Sequence, residues 1–296
     1  MPLPLRSFAL ASFFATALVH AADGQLSAAA TAGWIPDFSL DSGGKASATI
    51  WQASVSGSKQ LDPQQRLGLA MGFGQQSWSF EQATAWGGVS PWKTLGRATL
   101  SMPYSYATGG GWVYAIAPGA EYAAESGASQ SDSLSYGVSV SAAHYFAPDR
   151  MVGLGVAVWQ RLESTEAFPF LVVNWKLADQ WRLANPFAVS PVGPAGLELS
   201  WMPAPRFELG FGGTWRSYEY RLASNNRLAA NGVMQDKTVP LFVRAGYAIN
   251  DSMRLDAYAG AGVGGEFVIQ NANGDDVSTE KHSAMPILGL TLSGRF

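Results

Sequence analysis

Along most of this chain, apolar positions recur at every second residue. In the stretch 134–146, Leu134, Tyr136, Val138, Val140, Ala142 and Phe146 share one face, and Ser135, Gly137, Ser139, Ser141 and Ala143 share the other. Leu67, Leu69, Met71 and Phe73 oppose Gly68, Ala70 and Gly72 in the same way. Val239, Leu241, Val243, Ala245, Tyr247 and Ile249 repeat the pattern, as do Phe207, Leu209, Phe211 and Trp215. Alternation sustained over such lengths predicts strands with one apolar face. A soluble sandwich would place Lys, Glu and Thr on the second face. Here that face is Gly, Ala and Ser with single charges, the dispersed signature of a transmembrane barrel.

The breaks between these runs alternate in length. The short ones, 60–66, 147–150, 177–182, 203–206 and 249–254, mostly join a Pro or Asp turn former to an Arg that opens the next strand. The stretch 107–111 is a glycine version. The long ones, around 81–91, 125–133, 161–167, 223–237 and 271–282, are polar. Tight turns at one rim and longer loops at the other fit an outer-membrane barrel with its tight rim in the periplasm. With both ends periplasmic the strand number is even. Fourteen strands are expected, near 26–34, 44–58, 65–80, 93–106, 111–125, 131–146, 151–161, 167–177, 180–185, 194–202, 206–222, 237–249, 252–270 and 282–296. The 180–185/194–202 hairpin is short and interrupted by Pro186, Pro191 and Pro194, residues that suit a loop or strand edge. Without one pair the count is 12, the alternative. The expected fold is all-β, a transmembrane antiparallel up-and-down barrel.

Aromatics collect beside the tight turns. On the apolar face these are Tyr104, Tyr106, Trp112, Tyr114, Phe146, Trp175, Trp201, Phe207, Tyr247 and Phe296. Such rings sit at headgroup depth, with the body in hydrocarbon and the polar edge wet. Phe296 belongs to this belt and also resembles the C-terminal signal that outer-membrane barrels present to the barrel-assembly machinery. Gly294 stands where that signal usually has a large apolar residue. A closed barrel needs its last strand to meet its first, since no strand edge can stay unpaired in lipid.

Composition sharpens this picture. Charged residues are 14% of the chain, against about 25% in ordinary soluble domains. There are 33 glycines and 11 tryptophans but no cysteine, so neither disulfides nor a lipid acceptor is available. Residues 1–21 carry Arg6, an apolar run from Phe8 to Val19, and Val19 and Ala21 before Ala22, the layout of a secretory signal peptide. Residues 22–296 are then the barrel, exported to the outer membrane of a Gram-negative bacterium. The formal net charge is −3, with no basic stripe for nucleic acid.

Catalytic chemistry finds little support. The two histidines outside the leader are His144, on the face of Val140 and Phe146, and His282, at the edge of a polar loop. Both read as interfacial or solvent-exposed. Ser283 follows His282 directly and so points to the opposite side of a strand, and the His-x-Ser spacing of outer-membrane lipid A deacylases is missing. A nucleophilic serine needs a base within hydrogen-bond reach. The stretch 271–276 resembles part of a calcium loop but lacks its closing glutamate, and reads as a turn tip. No catalytic residue, metal or cofactor is therefore assigned, and the chain is not expected to be an enzyme.

The inward face holds the candidates. Alternation places Arg97, Lys176, Glu198, Arg216, Tyr218, Tyr220, Arg244 and Asp256 there as lumen or selectivity residues, among other charges such as Glu208 and Arg254. With a three-residue turn made of Ile249, Asn250 and Asp251, Arg244 and Asp256 would lie directly opposite and pair across strands. Such ions either hold the interior together or set the selectivity of a lumen for small polar solutes.

Two stretches, 168–183 and 193–222, carry a further likeness. Pro169, Trp175, Trp181-Arg182-Leu183, Trp215-Arg216 and Tyr220-Arg221-Leu222 resemble a family of uncharacterised proteobacterial proteins, best over residues 150–225. The resemblance implies an outer-membrane barrel or transporter, with an inward patch of Arg216, Tyr218 and Tyr220, and brings no substrate. The expected function is a passive channel or small-solute transporter contacting outer-membrane lipid. The alternatives are a closed structural or surface-binding barrel working through loops 223–237 and 271–282, and, further off, an outer-membrane lipid hydrolase.

Overall fold

The computed structural model describes residues 24–187 and 189–296; the signal peptide read at 1–21 lies outside them. Seventeen β-segments form one sheet. In chain order they are β1 (Gly24–Ser39), β2 (Lys45–Gln60), β3 (Gln65–Glu81), β4 (Thr94–Ser101), β5 (Tyr104–Ala107), β6 (Trp112–Glu125), β7 (Leu134–Ala147), β8 (Arg150–Gln160), β9 (Thr165–Ala178), β10 (Trp181–Ala184), β11 (Gly196–Ala204), β12 (Phe207–Thr214), β13 (Arg216–Arg221), β14 (Val233–Ala248), β15 (Met253–Gln270), β16 (Asp276–Lys281) and β17 (Met285–Arg295). Three staves are each built from two segments. β4 and β5 are separated at Met102-Pro103, β12 and β13 at Trp215, and β16 and β17 at 282–284. The result is a closed antiparallel barrel of 14 staves. Closure runs from Ser27 opposite Arg295 to Trp34 opposite Leu288. Below it, the Leu26 and Phe296 backbones exchange hydrogen bonds of 3.1 and 2.8 Å.

Three predicted boundaries shift by four residues or more. The first stave ends at Ser39, not 34, the twelfth begins at Val233, not 237, and the last begins at Asp276, not 282. The stretch expected to be a long loop at 271–282 is a tight turn at 271–275 followed by strand. Asn271 builds that turn, its side-chain oxygen accepting the Asn273 and Asp275 N–H groups at 2.9 and 3.0 Å.

The outside carries two aromatic belts. Near the tight turns Trp112 stacks on Tyr114, and Trp112, His144, Phe146 and Trp175 follow one another in ring contact. Trp181 stacks on Trp201. The upper belt contains Trp34, Trp51, Tyr136 and Trp215, all exposed. On β7 the belts are Phe146 and Tyr136, about ten residues apart, which on a strand tilted by about 45° covers a bilayer core. Between the belts the exposed side chains are mostly aliphatic, with Leu154 at 68% exposure.

Inside, the character changes with height. The inner face of β2 reads Ala46, Ala48 and Ile50, all buried, and then Gln52, Ser54, Ser56 and Ser58 toward the tight rim. The apolar upper part is an aromatic core. Trp78 meets Phe267 edge-on at 5.4 Å, and loop 82–93 turns inward to add Trp86 and Trp92. His282 lies in this core, 4.8 Å from the Phe38 ring and 5.0 Å from Phe267. This corrects its reading as an exposed loop residue: β15 and β16 continue past it and enclose it. The β13–β14 hairpin leans over the mouth until Arg221 bridges Ala124 of β6, and Asn226 donates to Glu125 at 3.0 Å.

If the aliphatic band faces lipid, Leu154→Arg should destabilise the folded barrel by about 2–4 kcal/mol in urea titrations in phospholipid vesicles. Ser58→Arg, on the inner face, should change stability by no more than about 0.5 kcal/mol. Equal effects would contradict this orientation.

Candidate functional site: a strut and an ion cluster in the lumen

β10 is four residues long because the chain cannot stay in the wall. Pro186, Pro191 and Pro194 lack the N–H that a ladder requires. The chain leaves the sheet at Asn185, whose side chain substitutes for lost ladder bonds. It accepts from Val173 N at 2.8 Å and donates to the Leu171 and Gly196 carbonyls at 3.0 Å each. The described residues of this segment, 185–187 and 189–195, then form a strut across the lumen. Pro191 packs on Gly33 of β1 and Gly289 of β17, far around the barrel from β10. A Cβ at Gly289 would stand 2.8 Å from Pro191 Cγ, so glycine is what admits the tip. The Val192 carbonyl accepts from Thr214 Oγ1 at 2.6 Å, and Val192 is fully buried.

Toward the tight-turn side of the strut lies an ion cluster. Arg244 donates to Glu198 Oε2 at 3.0 Å, to Glu208 at 2.7 Å and to Asp256 at 2.6 Å. Arg254 joins Asp256 and Glu208 at 2.8 and 2.7 Å. Ser200 donates to Glu198 at 2.8 Å. Phe187 of the strut lies over both guanidinium groups, 4.8 Å from Arg244 and 5.4 Å from Arg254. Two glycines make the space. A Cβ on Gly210 would come 2.7 Å from the Glu198 carboxylate, and one on Gly246 would collide with Arg254. Arg244 and Asp256 are not directly opposite as expected. Asp256 faces Gly246 and Arg244 faces Tyr258, because the chain between the paired ends Ala248 and Arg254 is longer than three residues. The pair forms diagonally over the glycine instead.

A second network lies nearer the long-loop mouth. Arg216 pairs with Asp236 at 2.9 Å, and Arg97 donates to Glu121 at 2.8 Å while lying 4.4 Å over the Tyr218 ring. Tyr220 accepts from Gln76 at 3.2 Å. Of the predicted lumen residues, Glu198, Arg244 and Asp256 thus meet in one cluster, and Arg97, Arg216, Tyr218 and Tyr220 line the other. Lys176 joins neither: it pairs at 2.9 Å with Asp179 at the tight rim. The sequence reading did not single out Glu208, Arg254 or Phe187. Parity had placed the first two inward, and only the three prolines marked the strut.

No protein-family model matches the chain, and no curated protein does. The family resemblance over residues 150–225 therefore has no counterpart among family models. Among solved structures, an outer-membrane channel from Pseudomonas putida F1 aligns at 11% identity over 94% of this chain and 97% of its own, with a TM-score of 0.48. The toluene transporter TbuX of Ralstonia pickettii aligns at 9% identity over 94% of this chain and 90% of its own, with a TM-score of 0.45. The P. putida toluene transporter TodX gives 9%, 94%, 91% and 0.45.

Arg244→Leu should cost about 3–5 kcal/mol of stability, because it leaves buried carboxylates unpaired. Lys176→Gln at the rim, in a solvent-screened pair, should leave stability nearly unchanged. Denaturant titration of the folded barrel distinguishes the two, and similar small losses would mean that the cluster is not buried as described.

Proposed function

We propose that this chain is a passive outer-membrane transport barrel for small solutes, with passage controlled where the strut crosses the lumen. The observation that carries this reading is the change of lining at that level. On the periplasmic side the lining is of small residues such as Ser54, Ser56, Gly72 and Gly74, all partly accessible. The ion cluster occupies one wall of this vestibule. The aliphatic band and its two belts support placement in the outer membrane, and Phe296 in the inner belt supports its role as an assembly signal. The reading requires no catalytic residue. A closed, surface-binding barrel is the second reading, favoured by the aromatic core, in which Trp92 and Phe267 have almost no exposed surface.

Liposome swelling and planar-bilayer conductance of the refolded protein test the proposal. Vesicles holding the barrel should admit small solutes faster than protein-free ones, and replacing 186–194 with a short Gly-Ser turn should raise the rate several-fold. In that variant, Glu208→Gln should move the reversal potential away from cation preference, and Arg254→Gln should move it toward cations. A folded strut-shortened barrel that passes neither ions nor solutes would leave the closed barrel as the better reading.

A further inference from the structure

The strut is made of residues that the wall then lacks. Pairing between β9 and β10 ends at Asn174 opposite Ala184, and Asn185 extends it to Leu171. Above Leu171 no strand pairs with that edge of β9 among the described residues. Val173 and Leu171 direct their hydrogen bonds to this side, so by parity Pro169 and Ala167 face it too. Pro169 is the one residue type that can sit at a free edge without an orphan N–H. Across the gap stands Trp215, whose N–H donates to the Ala195 carbonyl at 2.8 Å. The gap is closed above by Arg161, which donates to the Ser217 carbonyl at 3.2 Å and pairs with Glu219 at 3.2 Å. The wall therefore has a framed window between β9 and the β12/β13 stave. Pro169 lies six positions above Trp175 of the inner belt, which puts the window at outer-leaflet depth.

We propose that this window is a lateral port, through which uncharged, mostly apolar molecules bearing a hydrogen-bonding group exchange between the outer leaflet and the lumen. The chemistry on its two sides supports that class. Just inside, Trp159, Phe168 and Phe170 lie over a floor of glycines. Added Cβ atoms at Gly119 and Gly137 would meet the Trp159 ring at 3.3 and 2.6 Å, and one at Gly155 would strike Phe170. The rings are partly accessible, so they line a chamber that can receive a ligand. The frame itself bears peptide groups of Ala167 and Pro169 that have no strand partner on this side among the described residues, which hydrocarbon does not tolerate unless water or a ligand meets them. An ion has no reason to take this route, since lipid lies outside the window. Because the aromatic core fills the outer mouth, the port supplies the access that the transport reading needs, and the inference rests on that reading.

The chain has no cysteine, so single thiols report access directly. Ala157→Cys places one on the inner face of β8, beside Phe168, in the chamber. In proteoliposomes, N-phenylmaleimide should label it rapidly, and a sulfonated thiosulfonate at least tenfold more slowly. Ala195→Trp on the frame should slow the maleimide about tenfold at position 157. Labelling of Ser56→Cys, on the periplasmic side of the strut, should keep its rate. If the charged reagent labels position 157 as fast, or if Ala195→Trp changes nothing, the port is overturned. Ala167→Trp repeats the test from the opposite side of the frame should the first variant fail to show the heat-dependent gel mobility of a folded barrel. Swelling assays on the same vesicles separate the two ideas. Transport that survives Ala195→Trp with unchanged labelling overturns the port alone, whereas window-dependent labelling without any solute transport overturns the transport reading and leaves a binding chamber.

Discussion

In hydrocarbon, a peptide N–H or C=O has no water to fall back on, and each one left unpaired costs several kcal/mol. Nearly every feature of this molecule follows from that constraint. It forces the sheet to close, so β1 meets β17 over eight residue pairs. It also explains how the wall behaves where it is broken. At Met102-Pro103 the loss is covered locally, with Gly68 donating to the Pro103 carbonyl at 2.7 Å and Met102 to that of Pro118 at 3.0 Å. At the end of β10, the Asn185 side chain takes over part of the ladder before the chain turns inward.

The interior obeys a related rule for charge. A guanidinium taken out of water is tolerable only when carboxylates surround it, and Arg244 has three. Three carboxylates can converge on one side chain only if the strand between them stays out of the way. Glycine at 210 and 246 does this, so the high glycine content has a local meaning here. The strut uses the same device at Gly33 and Gly289 to reach the far wall. Small residues on the inner face are thus partly free volume and partly seats for groups arriving from elsewhere.

Much of the fold was legible because the two-residue period is a local property. The alternation along 134–146 gave both the strand and its apolar outer side, and the short turns it predicted lie together at one rim. Parity put Arg244, Glu198 and Asp256 on one face, but which of them meet depended on register, and a turn longer than expected moved the partners by two. The strut was not legible: prolines say that a chain leaves a sheet, not where it goes next. His282 was misread for a similar reason, since a polar stretch that looks like a loop when read alone becomes wall when β15 rises beside it. Trp159, Phe168 and Phe170 gave no sign beyond parity that they share a chamber.

The strut and the window come from one piece of chain, and that links two properties usually free to vary separately. Each residue moved from 185–195 into β10 would raise the wall and shorten the crossing at once. A lineage of such barrels would therefore drift along a single axis, from a tall sealed cylinder with an unobstructed bore to a low-sided one with a long crossbar. Insertions at this point change both the bore and the side wall, and neither can be tuned by length alone while the other is held constant.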